Sequence, residues 1–121
     1  MQQYLSEDRS IYLQISQMIE TDILRGALLE EERVPSTNEL ARFYTINPAT
    51  AAKGINILVD EGILYKKRGI GMFVTAGAKE MIRARRKRIF YQQRLGEFLA
   101  EAQSLGISTE ELIEHIAKEE Q

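Results

Sequence analysis

The side chains able to do chemistry in this 121-residue sequence are few, and most of them are charged. There is no cysteine, which removes disulfides, thiolate metal sites and thiol nucleophiles together, and the single histidine, His115, cannot build a metal cluster by itself. The carboxylates fall at helix caps and at positions that read as solvent-facing, so no acid pair or nucleophile with a base stands out. The sequence is therefore read as that of a non-enzyme with no cofactor and no metal. What remains is charge and its placement. Residues 1–35 carry three Arg against seven carboxylates, net −4, and residues 95–121 carry Lys118 against seven Glu, net −6. Between them, residues 36–94 carry twelve Lys or Arg against four acids, net +8, although the whole chain is −2. A cationic middle between acidic ends suits phosphate as a partner, or else a solvated charged face.

Three groups of residues could use that charge. Ser36 and Thr37 open a helix, where free amides and hydroxyls bind a phosphate at the positive end of the dipole, with Asn38 beside them. Asn47, Pro48, Ala49, Thr50 and Lys53 begin another helix with little bulk, as a helix entering a major groove requires: Asn47 for a base or phosphate, Ala49 or Thr50 for a thymine methyl, Lys53 for the backbone. Lys66, Lys67, Arg68 and Gly69 form a basic tip where glycine lets a phosphate come close. Gly69-x-Gly71 lacks the following Gly-Lys-Ser/Thr of a nucleotide-binding loop.

Elements to position these groups are legible in the periodicity. Ile11, Ile15, Ile19 and Ile23, with Met18, put an apolar stripe on a helix of about residues 9–25, stopped by Gly26. Glu30-Glu31-Glu32 reads as an acidic turn. Ser36 and Glu39 have the spacing of a capping box, starting a short helix with Leu40, Ala41 and Phe43 as its apolar positions. Asn47-Pro48 is an N-cap with proline at the first helical position, and Ala51, Ile55, Leu58 and Val59 give that helix a buried face up to Gly62. Runs 63–66 and 72–75 are β-prone and flank the basic tip, which makes a hairpin. From Ala78 a helix of about 25 residues carries the basic run 83–88 and then Ile89, Tyr91, Leu95, Phe98 and Leu99. After Gly106, a second capping box at Ser108 and Glu111 starts a last helix with Leu112, Ile113 and Ile116 on one face.

The fold class expected is mainly α with a small β-hairpin wing: a winged helix-turn-helix over residues 1–76, followed by a two-helix dimerisation region over residues 77–121. Two amphipathic helices cannot bury their apolar faces alone, so Ile89, Tyr91, Leu95, Phe98, Leu99, Leu112, Ile113 and Ile116 are expected to pair with a second copy. The basic run 83–88 is expected to meet either DNA or the acidic last helix, with the second preferred. No apolar run is long enough to span a bilayer and the N-terminus lacks the features of a signal peptide, so a cytoplasmic protein without membrane contact is expected.

Ile11-Tyr12-x-Gln14-Ile15, Pro35-Ser36-x-x-Glu39-Leu40-Ala41, Asn47-Pro48-x-Thr50, Glu61-Gly62-Ile63 and Arg68-Gly69-x-Gly71-x-Phe73-Val74, in this order and spacing, closely resemble the GntR family of bacterial transcription regulators. The Asn47-Pro48 pair and short helical tail resemble its YtrA subfamily. The resemblance implies a cytoplasmic homodimeric repressor that binds a palindromic double-stranded operator, in an operon such as one encoding an ABC transporter. Two positions depart from the pattern: Asn38, where the family commonly has Arg, and Ala52, where it commonly has a basic or bulky residue. Alternatives are a winged-helix module whose basic wing docks an acidic protein, and a regulator responding to a small-molecule effector in a pocket of the C-terminal helices lined by Phe90, Tyr91 or Phe98.

Overall fold

The computed structural model describes residues 1, 2 and 4–120, in two compact units, Met1–Ala84 and Arg85–Gln121. In the first unit, helix α1 (Ile11–Leu24) packs on α3 (Pro48–Asp60), and α2 (Thr37–Tyr44) packs on α3 from its own side. Strands β1 (Leu64–Lys67) and β2 (Gly71–Val74) pair antiparallel, with Tyr65 opposite Phe73 and Lys67 opposite Gly71. Each strand lies one residue nearer the tip or its mate than the β-prone runs suggested, because the four-residue turn closes from Lys67 to Ile70.

The apolar stripe of α1 supplies Ile15, Met18, Ile19 and Ile23 to the core, where they meet Leu40 and Ala41 of α2, Ala51, Ile55 and Leu58 of α3, and Leu64 and Val74 of the hairpin. Each fully buried Ile or Leu contributes about 1.5–3 kcal/mol by transfer from water. Phe43 departs from its expected place: it is 54% exposed, with its ring edge on Tyr44. In the short helix α2 only Leu40 and Ala41 are buried, with Tyr44 half-buried and packed against the core. The buried Gln14 of α1 holds the N-terminal arm by mimicking backbone, accepting from the Ser6 amide (2.7 Å) and donating to the Ser6 (2.7 Å) and Arg9 (3.1 Å) carbonyls.

The stretch read as an acidic turn does more than turn. Glu31 adopts the left-handed conformation, and the chain then runs beside β2. The Glu31 and Val34 amides donate to the Val74 and Met72 carbonyls, the Val74 amide donates to the Glu32 carbonyl, and Arg33 bridges to Phe73. The hairpin is thereby tied to the segment that leads into α2. Helix α4 (Ala78–Ile89) starts in the core of the first unit through Ala78 and Ile82.

The long helix expected from Ala78 is present, but it is interrupted by a π-helical turn, Phe90–Arg94, before α5 (Leu95–Ser104). Helix α6 (Thr109–Glu119) is capped by Ser108, whose hydroxyl accepts from the Glu111 amide. Arg83, of the basic run, pairs with Glu80 one turn earlier on its own helix at 2.6 Å. Among the described residues no helix is long and apolar enough to cross a membrane.

Gly54 decides how closely α3 approaches α1. A Cβ there would lie 2.7 Å from the Tyr12 carbonyl oxygen and 2.9 Å from the Ile15 side chain. Alanine would gain about 1 kcal/mol in helix propensity but would overpack this contact by about 1–3 kcal/mol, and a backbone oxygen cannot rotate away. Gly54→Ala is therefore expected to lower stability by up to about 2 kcal/mol in chemical denaturation. An equal or higher midpoint would show that the two helices can separate without cost.

Candidate nucleic-acid interface

Three exposed elements of the first unit carry the residues singled out for phosphate or base contact. At the start of α2, the Ser36 hydroxyl accepts from the Glu39 amide (3.0 Å), and Glu39 Oε1 accepts from the Ser36 amide (3.3 Å). The capping box is complete. These hydrogen bonds from Ser36, joined by the charge of Arg33, hold the Glu39 carboxyl below its ordinary value. Ser36 and Thr37 are half-buried, and Asn38 is exposed.

At the start of α3, Asn47 Oδ1 accepts from the Ala49 amide at 2.8 Å and caps the helix, with Pro48 in the first turn. The cap occupies the oxygen of Asn47. Its side-chain amide nitrogen is the group that suits an outside acceptor. Pro48 and Ala49 are exposed and Thr50 is half-buried, so the entry to the helix is narrow. One turn on, Lys53 Nζ sits 4.0 Å over the ring of Tyr12, a cation–π contact that points the ammonium along α1. Asn38, Arg42 and Pro48 line one shallow groove together with Ala41 and Ile46, which joins α2 to the start of α3.

The hairpin tip is a turn in which the Ile70 amide donates to the Lys67 carbonyl (2.9 Å) and Gly69 takes a left-handed φ of 77°. Lys66, Arg68, Gly69 and Ile70 are exposed. Lys67 is also exposed, but its Nζ lies 4.3 Å over Phe73 and 5.9 Å from the Tyr65 ring centre, so it is the most restrained of the three wing cations. The Tyr65 hydroxyl donates to the Glu31 carboxylate, and this bond raises the Tyr65 pKa.

The residues the sequence pattern did not single out are Arg33, Arg42 and Ile70. Arg42 and Ile70 are exposed beside residues that were singled out, Arg42 in the groove with Asn38 and Ile70 next to Gly69. Arg33 fits no capping or helical spacing: it meets Glu39 six residues on at 3.3 Å, and its other partners, the bridge partner Phe73 and the face of Gly71, are distant in sequence.

Short helix, three-residue turn, capped helix and basic hairpin follow one another within a segment, residues 11–74, that matches the family model of bacterial regulatory proteins, gntR family. The chain belongs to the gntR family. It is 31% identical to the HTH-type transcriptional repressor YtrA of Bacillus subtilis (strain 168), over 88% of this chain and 81% of that protein. Among solved structures it is similar to a putative transcriptional regulator of the GntR family from Bacteroides thetaiotaomicron, with 39% identity, a TM-score of 0.75 and coverage of 89% of this chain and 94% of that one. It is also similar to AraR(DBD) in complex with operator ORX1, with 34% identity, a TM-score of 0.53 and coverage of 62% and 92%. Several other curated regulators match over 49–59% of this chain but over only 15–27% of their own length. That likeness is confined to one segment of those larger proteins.

Cap and contact can be separated at Asn47. Asn47→Asp keeps the capping oxygen and removes the amide donor, whereas Asn47→Ala removes both and loses about 0.5–2 kcal/mol of stability. The expected outcome is an Asp variant as stable as the parent in thermal denaturation yet weaker on DNA, and an Ala variant impaired in both. DNA affinity unchanged in the Asp variant would reduce Asn47 to a cap.

Proposed function

We propose that this chain, a DNA-binding transcription regulator of the gntR family, acts as a homodimeric repressor on a palindromic operator. The observation that carries the reading is contiguity. The start of α3, the groove of Asn38 and Arg42, the cap of α2 and the tip end of β2 follow one another through the Pro48 groove and the Arg33 contacts with Glu39 and Gly71. In this reading Asn47 to Lys53 enter the major groove, Ser36, Thr37 and Asn38 hold a phosphate, and Lys66, Lys67, Arg68 and Gly69 lie on the backbone or in the minor groove.

Residues 77–121 would supply the dimer contacts. Ile89, Tyr91, Phe98, Leu99, Ile113 and Ile116 are 40–60% exposed in the single chain, and Leu95 and Leu112 are half-buried. Helices this apolar need a partner surface, and a two-fold dimer matches a palindromic site. The relatives are transcription regulators, and regulation of an operon such as one for a transporter, inside the cytoplasm, belongs to the same proposal.

The test is gel-shift binding to DNA selected from a random pool, over a salt series. Selective binding that weakens steeply with salt is expected; equal weak binding to selected and random DNA would sink the reading. Phe98→Asp should convert a dimer to a monomer in sedimentation velocity and weaken operator binding by about 100-fold or more through loss of the second half-site. A variant that remains dimeric would remove the tail from the interface.

A second reading has its own observation. A groove of about 710 Å³ in the second unit is lined by Phe90, Tyr91, Arg94, Leu95, Phe98, Ile116 and Glu120. That volume suits a small effector. Ligand-dependent thermal stabilisation across a drug and metabolite panel would support it, and none across the panel would count against it.

A further inference from the structure

We infer that Arg33 is a positioning residue that fixes the wing against the helix-turn-helix, so that wing and α2 cap reach DNA as one unit. The inference rests on the DNA-binding reading of that surface. It starts from a residue on no recognised motif element: Arg33 lies between the acidic turn and Pro35, six positions before Glu39.

Three contacts converge on it. Its backbone is the bridge partner of Phe73, with the flanking Glu31, Glu32 and Val34 bonded to β2, so the residue belongs to the wing as much as to the loop before α2. Its side chain then crosses Gly71, where β2 leaves the turn at the tip of the wing. A Cβ at that glycine would lie 2.9 Å from Arg33 Nε, 3.5 Å from Cδ and 3.6 Å from Cγ, and the glycine holds a φ of 146° that L side chains rarely adopt. Beyond Gly71 the guanidinium Nη2 donates to Glu39 Oε1 at 3.3 Å, the same oxygen that accepts from the Ser36 amide. A continuous path therefore runs from the wing, through the Arg33 stem and fork, to the first turn of α2.

The electrostatics give the path a second purpose. Glu39 is the only carboxylate from Ser36 to Val59, and it stands beside the amides offered to a phosphate. An uncompensated carboxylate there would repel the backbone. Arg33 supplies the compensating charge and, after the Ser36 hydrogen bonds, helps hold that carboxyl below its ordinary value. The pair is about half exposed, so it adds little to folding stability. Its effect is on geometry and on binding: backbone bonds tie the hairpin to the loop before α2, and the Arg33 side chain adds the link from that paired loop and hairpin to the first turn of α2.

The experiment uses the full chain and operator DNA selected by it. Affinity and its salt slope are measured for the parent, Arg33→Gln, Gly71→Ala and Arg68→Ala, and for Arg68→Ala combined with Arg33→Gln, alongside thermal denaturation. If Arg33 positions the wing, Arg33→Gln binds at least about tenfold more weakly, with a salt slope lower by about 2 as wing phosphate contacts are lost together. Arg68→Ala, costing about tenfold in the parent, then costs less than about twofold in the Arg33→Gln background. Gly71→Ala, which displaces the Arg33 stem, shows the same loss of slope, and the melting temperature of Arg33→Gln stays near the parent value. A slope reduced by only about 1, with Arg68→Ala keeping its full cost, would make Arg33 a direct phosphate contact and overturn the inference. So would unchanged affinity in Arg33→Gln. Failure of the parent chain itself to select DNA is a different result, and it removes the DNA-binding reading rather than the role of Arg33 within it.

Discussion

The contact on which the rest of this structure depends is the one between α1 and α3 at Gly54, where no side chain fits between the helices. A helix that is to enter a groove must be held from behind, because its exposed face has to remain free. Here the holding face is Ala51, Ile55 and Leu58, and at Gly54 the backbone itself is pressed against Tyr12 and Ile15. The same approach brings Lys53 over the Tyr12 ring. A lysine side chain, which carries about 2 kcal/mol of rotamer entropy, is thereby partly ordered. A residue that weakens an isolated helix thus sets the position of the helix in the fold.

The wing is held by a different principle. Two strands of four residues are too short to be stable alone, and the hairpin gains its support from the segment before α2. Backbone bonds from Glu31, Glu32 and Val34 extend the sheet by a partial third strand, while Tyr65, Phe73 and Lys67 pack on one another across it. Of the wing cations, Lys66 and Arg68 carry no aromatic contact among those found and Lys67 does, so the turn separates charges that scaffold the wing from charges offered outward. The strong acidic character of residues 1–35 fits this arrangement: Glu31 takes the Tyr65 hydroxyl at the inner part of the hairpin, away from its tip.

The second unit follows a third logic. Its apolar side chains are placed at helical spacing but left exposed, and Ala102 is its only hydrophobic residue in the buried class among the described ones. The π turn at Phe90–Arg94 inserts an extra residue's worth of winding near the start of this unit, just before α5. Two aromatics, Phe90 and Tyr91, sit at that turn, with ring centroids 5.7 Å apart. The reading of residues 77–121 as dimer contacts rests on this unsatisfied surface.

Local chemistry was legible in the sequence because it acts over a few residues. The Ser36 and Glu39 box, the Asn47 cap followed by Pro48, the helix stops at Gly26 and Gly62, and the stripe Ile15, Ile19, Ile23 each follow from spacing alone, and the order of these signals was enough to fix the family. What lay between distant segments was not legible. Nothing in the spacing says that Arg33 meets Phe73, Gly71 and Glu39, that Gly54 faces Tyr12, or that Lys53 lies on an aromatic ring, since each pairing exists only once the chain has closed on itself. Phe43 makes the same point in reverse: apolar, at a plausible helical position, it is left exposed because α2 buries Leu40 and Ala41 and packs Tyr44 against the core instead. Sequence determined which helices form and that a hairpin follows them; the tertiary structure decided which charges are tied down and which are presented, because that depends on distances across the fold and not along the chain.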